Sequence, residues 1–167
     1  MSADKGVLSR VAKILGVGAL ALAAALIVPS EGRRLDPYRD TGGVLTVCDG
    51  HTGGVQARRY TPGECDQLLA SDIRKHDSDI SKCIPAGLPD RPHAAFLSFA
   101  YNVGAPTFCK STMSKKARAG DIPGACAEIS RFVFVAGRDC RLKSSNCAGI
   151  VKRREKERAM CEGVNQP

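Results

Sequence analysis

Glu31-Gly32-Arg33-Arg34-Leu35-Asp36-Pro37-Tyr38-Arg39-Asp40, followed five residues later by Thr46-Val47-Cys48-Asp49-Gly50-His51-Thr52-Gly53, is the most informative stretch of this chain. Residues 44–47, the dipeptide Asp49-Gly50 and a polar stretch to about residue 57 predict a small β-hairpin, because Asp-Gly supplies the backbone a tight hairpin turn needs. Glu31 is expected at the start of a helix or its approach, Asp40 in the loop entering the hairpin, and Thr46 on the first strand. Together they read Glu-x8-Asp-x5-Thr. The spacing alone carries no chemistry, since acidic pairs nine apart arise by chance. A cleft between a hairpin and a helical lobe would bring the three groups together.

Downstream, the helix punctuation is clear. Thr61-Pro62-Gly63-Glu64 is a capping box with proline at the first helical position, and it opens a helix with Cys65, Leu68, Leu69 and Ile73 on one face. Asp90 to Pro92 opens a second helix over residues 93–103, ending at Gly104 with Pro106 beyond. That helix is apolar almost all round, the pattern of a central buried element. A third follows Thr107 and stops at Gly120, Asp121-Ile122-Pro123 starts a fourth, and residues 150–161 make a basic amphipathic fifth. The body is therefore α+β, predominantly helical, with one small hairpin near its start.

Upstream lies a different kind of segment. Lys5, Arg10 and Lys13 precede an apolar run over residues 14–28, which ends at Pro29-Ser30-Glu31. Positive charge before such a run predicts an N-terminus held in the cytoplasm and an exported body. As a helix the run spans about 22 Å at 1.5 Å per residue, short of the ~30 Å hydrocarbon core. Its Leu, Ile and Val residues supply only about −2.5 to −5 kcal/mol of apparent insertion energy. Four readings stand: a signal peptide cleaved at Ala23-Ala24-Ala25, a permanent anchor, a segment that inserts temporarily and slips out, and a buried core helix. Counted over residues 11–28, with Lys13 snorkelling, temporary insertion is feasible. The chain is expected to divide into residues 1–29, the membrane segment, and 30–167, the body.

The formal net charge is +8, from 25 basic and 17 acidic residues. Residues 138–158 alone hold eight basic and three acidic residues. A basic surface attracts polyanions, and nucleic acid, anionic lipid and wall polymer all qualify. A solvated basic helix face explains the same charges. The eight cysteines include no Cys-x-x-Cys pair, so zinc spacing is missing. On an exported chain an even count predicts four disulfides, with Cys140–Cys147 the best single pairing.

The opening stretch resembles the catalytic region of phage endolysins of the T4-lysozyme type, glycoside hydrolase family 24. Ser98-Phe99-Ala100-Tyr101-Asn102-Val103-Gly104 resembles that family's central helix, Gly120-Asp121-Ile122 a recurrent turn, and Arg153-Arg154-Glu155 its late Arg-Arg-x-x-Glu region. The resemblance runs from about residue 31 to residue 161. The weakly apolar N-terminal run resembles the signal-arrest-release segment of endolysins related to phage 21.

The resemblance implies a lysozyme-like fold and cleavage of the β-1,4 bond between N-acetylmuramic acid and N-acetylglucosamine in peptidoglycan, for host-cell lysis. Glycosidic cleavage needs a proton on the leaving oxygen while positive charge builds on the sugar. Glu31 is the candidate acid, Asp40 the ionised partner, and Thr46 the group that holds a water or nucleophile. Each has a plainer reading: Glu31 as an acid at a helix N-terminus, Asp40 as a turn residue, Thr46 as a strand residue. Tyr101 and Asn102 are candidates for lining the sugar cleft, although Tyr101 suits a core equally. His51 reads as a loop histidine satisfied by hydrogen bonds, and Arg153 or Arg154 as a partner for Glu31 or a solvated face. No cofactor, metal or nucleic acid is expected, and the chain is expected to be a monomer acting from the periplasmic side of the inner membrane and then in the periplasm. The competing class is a non-enzymatic, cationic, disulfide-rich wall-binding or membrane-disrupting protein.

Overall fold

A computed structural model describes residues 2–40 and 42–163. The chain forms two compact units, Met1–Lys75 and His76–Pro167.

In the first unit the apolar N-terminal run is not one helix. Helix α1 (Ser2–Leu15) ends at Gly16-Val17-Gly18, and α2 (Ala19–Ile27) follows. Gly16 and Gly18 take φ values of 87° and 94°, a conformation glycine reaches without strain and one that an α-helix cannot contain. Among the described residues no helix is long and apolar enough to cross a membrane. Ala23, Ala24 and Ile27 of α2 are fully buried, so in this folded form the segment is core.

A 3₁₀ turn, Val28–Ser30, closes α2, and the chain enters β1 (Arg34–Arg39), which pairs antiparallel with β2 (Leu45–Cys48). The hairpin therefore lies one strand earlier than expected: its first strand is 34–39, and residues 45–47 of the expected first strand belong to the second. The Asp49-Gly50 turn is real but closes only a single bridge, with Val47 and His51 exchanging backbone hydrogen bonds of 2.9 Å. Charges and Pro37 hide β1 in the sequence. The register shifts between Arg34 and Tyr38, the interval that contains Pro37, which has no amide to give a ladder.

Helix α3 (Pro62–Ile80) starts on the expected capping box. The Thr61 amide donates to Glu64 Oε2 at 2.8 Å and the Glu64 amide to Thr61 Oγ1 at 3.2 Å. A Cys48–Cys65 disulfide ties β2 to α3. Around it Val47, Tyr60, Leu35, Val55 and Leu68 pack into a small core.

The second unit is built on α4 (Asp90–Val103), whose residues 94–100 are all buried, and which packs mainly on α8 (Ala148–Glu162). The expected third helix is two, α5 (Ala105–Lys110) and α6 (Thr112–Arg118). Ser111 breaks it by accepting a hydrogen bond from the Ser114 amide, an N-cap within an otherwise periodic stretch. Asp121 caps α7 (Ile122–Glu128) in the same way. A two-residue ribbon, β3 (Phe134–Val135) and β4 (Arg138–Asp139), precedes α8. Cys83–Cys109, Cys126–Cys161 and the expected Cys140–Cys147 complete four disulfides. No cysteine is free.

The basic face expected on α8 is partly interior. Arg153 and Arg154 are buried, and both meet Glu157, which has no exposed surface. Glu157, three residues past Arg154, is the glutamate at the Arg-Arg-x-x-Glu spacing. Ser98 Oγ of α4 donates at 2.8 Å to Glu157 Oε1, the oxygen that Arg153 also meets.

Candidate active site

Glu31 sits where helix gives way to strand. Its amide donates to Ile27 O at 3.2 Å, the last bond of α2, while its own backbone is extended at φ −103° and ψ 138°. It thus stands at the end of a helix, not at a start. The side chain is partly buried, and Oε2 lies 4.0 Å from the point where a Cβ on Gly50 would be. The carboxyl therefore lies beside the Asp49-Gly50 turn, whose left-handed backbone at φ 94° needs Gly50.

The backbone beside the acid is pinned by ions. Arg33 donates to Asp49 through Nε (3.0 Å) and Nη2 (2.6 Å) and to Asp66 through Nη1 (2.6 Å). Asp66 also takes the guanidinium of Arg10 from α1. Both aspartates are buried. Burial opposes the charge on Arg33, but the hydrogen bonds to Asp49 and Asp66 outweigh it and hold the group above its ordinary value. Arg74 of α3 donates to Ile14 O at 2.6 Å, capping the end of α1. The chain Arg10–Asp66–Arg33–Asp49 thus joins α1, α3, the approach to β1 and the turn beneath Glu31. Sequence reading missed the pairing of these four, because charges at such separations carry no local pattern.

Asp40 and Thr46 lie at the other end of the hairpin. Asp40 follows β1, and its Oδ1 accepts from the amides of Gly42 and Val44, each at 2.9 Å. The turn reading is therefore correct for one oxygen, and Oδ2 takes no hydrogen bond among the described residues. Thr46 is on β2, the second strand and not the first, opposite Tyr38. It is buried, and its hydroxyl donates to Val44 O at 3.0 Å, which leaves the oxygen lone pairs to accept. One hairpin therefore carries all three groups, an acid at its entrance and a carboxylate and hydroxyl at its tip.

The remaining candidates have structural partners. His51 meets Asp72 through Nδ1 at 2.9 Å and Gly53 O through Nε2 at 2.5 Å, a satisfied loop histidine as expected. Tyr101 and Asn102 end α4 in the second unit. The Tyr101 ring lies 4.9 Å from that of His76, and Asn102 Oδ1 accepts from Arg154 at 2.5 Å.

The sequence profile of the phage lysozyme family matches residues 29–157. The chain belongs to that family. A signal-arrest-release endolysin (SAR-endolysin) of bacteriophage PS119 is 39% identical over 152 residues, 86% of this chain and 87% of its own length. That of Enterobacteria phage P21 is 38% identical over 159 residues, covering 90% of this chain and 92% of its own. The fold agrees with the crystal structure of the active form of the phage P1 endolysin, at a TM-score of 0.80 and 26% identity over 98% of this chain and 97% of that one. This phage lysozyme is accordingly a glycoside hydrolase that lyses peptidoglycan, and its fold is the lysozyme-like α+β arrangement expected. The non-enzymatic alternative is not favoured.

Proposed function

We propose that this chain is an endolysin that cleaves the β-1,4 bond between N-acetylmuramic acid and N-acetylglucosamine, with Glu31 as general acid. The observation that supports this reading is the position of Glu31 at the entrance to the hairpin, beside the Asp49-Gly50 turn, with Asp40 and Thr46 on the same hairpin. Glu31 protonates the leaving oxygen. Ionised Asp40 faces the positive charge growing on the ring, and Thr46, its proton held by Val44 O, accepts from the attacking water. Tyr101 and Asn102 of the second unit bind the sugar chain in this reading. Glu31→Gln removes the proton with almost no change of shape, and turnover of purified peptidoglycan is expected to fall by about 10²–10⁴-fold at an unchanged melting temperature. A folded variant of normal activity overturns the assignment.

In this reading residues 1–29 export the body and hold it, as a monomer, on the periplasmic face of the inner membrane before it acts in the periplasm. A helix over residues 11–28 is about 27 Å long at 1.5 Å per residue, near the hydrocarbon thickness, and needs Gly16 and Gly18 in helical geometry. The folded form needs them at positive φ. It also needs Arg10 on Asp66, a pairing that insertion breaks. The two states exclude each other, and the inserted one draws Glu31 toward the headgroups. Cleavage after Ala25 would remove Arg10 and most of α2, which favours release of the intact segment.

A further inference from the structure

Five large apolar side chains are exposed among the described residues, and three of them fall between residues 134 and 142: Phe134 (56%), Val135 (44%) and Leu142 (59%). They belong to one excursion of the second unit, the β3–β4 ribbon and the loop after it, which the Cys140–Cys147 disulfide closes. The same excursion, residues 132–147, carries Arg138, Arg141 and Lys143 against a single acid, Asp139. Asp139 is fully engaged, both of its oxygens accepting from Arg141.

We infer that this excursion docks the enzyme on an anionic lipid bilayer surface. Exposed apolar side chains set among cations are what partitions into the headgroup boundary of such a bilayer, the apolar groups entering and the cations meeting lipid phosphates. A glycan fits less well. Sugars need open aromatic faces and acceptor groups, whereas the Arg141 guanidinium sits over the Phe134 ring at 5.6 Å, Val135 and Leu142 are aliphatic, and the one acid is occupied. A second copy of the chain brings the same positive charge and is repelled. The closed disulfide loop and the Arg141–Asp139 pair hold the excursion in shape before it meets lipid, which reduces the ordering cost of binding. None of these residues belongs to the hairpin that carries Glu31, so the docking surface is independent of the catalytic proposal.

The chain has no tryptophan, so Phe134→Trp places a unique fluorophore on the tip. With the full-length, oxidised protein, a blue shift is expected on vesicles containing phosphatidylglycerol and none on pure phosphatidylcholine. In sedimentation, the triple change Phe134→Ser, Val135→Ser, Leu142→Ser is expected to weaken binding to the anionic vesicles at least about tenfold, with the melting temperature and turnover of soluble peptidoglycan fragments unchanged. The pair Arg138→Gln and Lys143→Gln, both on the surface, is expected to remove the preference for phosphatidylglycerol and its salt dependence. An unshifted tryptophan, or a triple variant that binds anionic vesicles as the parent does, overturns the inference. So does a triple variant that keeps vesicle binding and loses adsorption to insoluble peptidoglycan, which assigns the surface to the glycan instead.

Discussion

Glu157 shows how one side chain governs its neighbourhood. It is wholly buried with Arg153 Nε at 3.2 Å, Arg154 Nη1 at 2.5 Å and the Ser98 hydroxyl at 2.8 Å. Burial pushes the Arg154 guanidinium below its ordinary value, and Glu157 is the charge that opposes this. Arg154 also stacks over Phe99 at 4.6 Å and donates to Phe132 O and to Asn102, so α8, α4 and the start of the β3–β4 excursion meet around the Arg154–Glu157 pair. Removing one partner of such a cluster leaves a buried charge uncompensated. Glu157→Ala is expected to cost about 3–5 kcal/mol in urea unfolding, and Glu157→Gln less, because it keeps an acceptor for Ser98. Equal stability of Glu157→Ala and the parent contradicts this. The sequence shows the Arg-Arg-x-x-Glu pattern but not its depth, since charge counting makes any run of basic residues look solvated. Arg10, Arg33, Asp49 and Asp66 were illegible for a related reason: their partners lie far away along the chain.

At the scale of the element, the legible features were those with local chemistry. The Thr61–Glu64 box, Asp121 before Pro123 and Gly104 after α4 each act within a few residues, and each marks a helix boundary where expected. The misses were elements whose identity depends on a remote partner. Strand β1 exists because β2 pairs with it, and its charges and Pro37 conceal it. The box at α3 also makes a pH-dependent contribution. The Arg58 hydrogen bond first, and then the Thr61 amide and hydroxyl, hold Glu64 down at about 2, against an ordinary 4.5. Because the folded value lies below the unfolded one, the stabilisation is complete above about pH 4.5 and is lost as the pH falls through about 2. The Glu64 carboxyl is expected to titrate near 2 by NMR and to move up toward 4.5 in Arg58→Gln. A midpoint already at 4.5 in the parent sinks this account.

At the scale of the whole chain, the four disulfides expected from the cysteine count and the α+β arrangement expected from the helix and hairpin signals agree with the structure, and the enzyme that the resemblance implied agrees with the family. The N-terminal segment was legible as apolar and weak, but not as two helices, because periodicity and hydropathy run through Gly16-Val17-Gly18 without interruption. Its proposed role makes a prediction about the full protein. Enzyme held in proteoliposomes through residues 11–28 is expected to degrade added peptidoglycan at least about tenfold more slowly than the released form, the loss expected when a general acid is drawn out of place. Equal rates would mean that insertion leaves Glu31 in register with Asp40 and Thr46, and the proposed control would fail.

The gap between α1 and α2 has one more consequence, for the survival of the folded enzyme among proteases. Val17 is 99% exposed and lies between two glycines in backbone that is not helical, the kind of site where proteases nick folded domains. A cut there leaves α2 and Glu31 on the large fragment and Arg10 on the small one, with no peptide bond left between them. The first helix would then stay in place only through its contacts, Arg10 on Asp66 and Arg74 on Ile14 O among them.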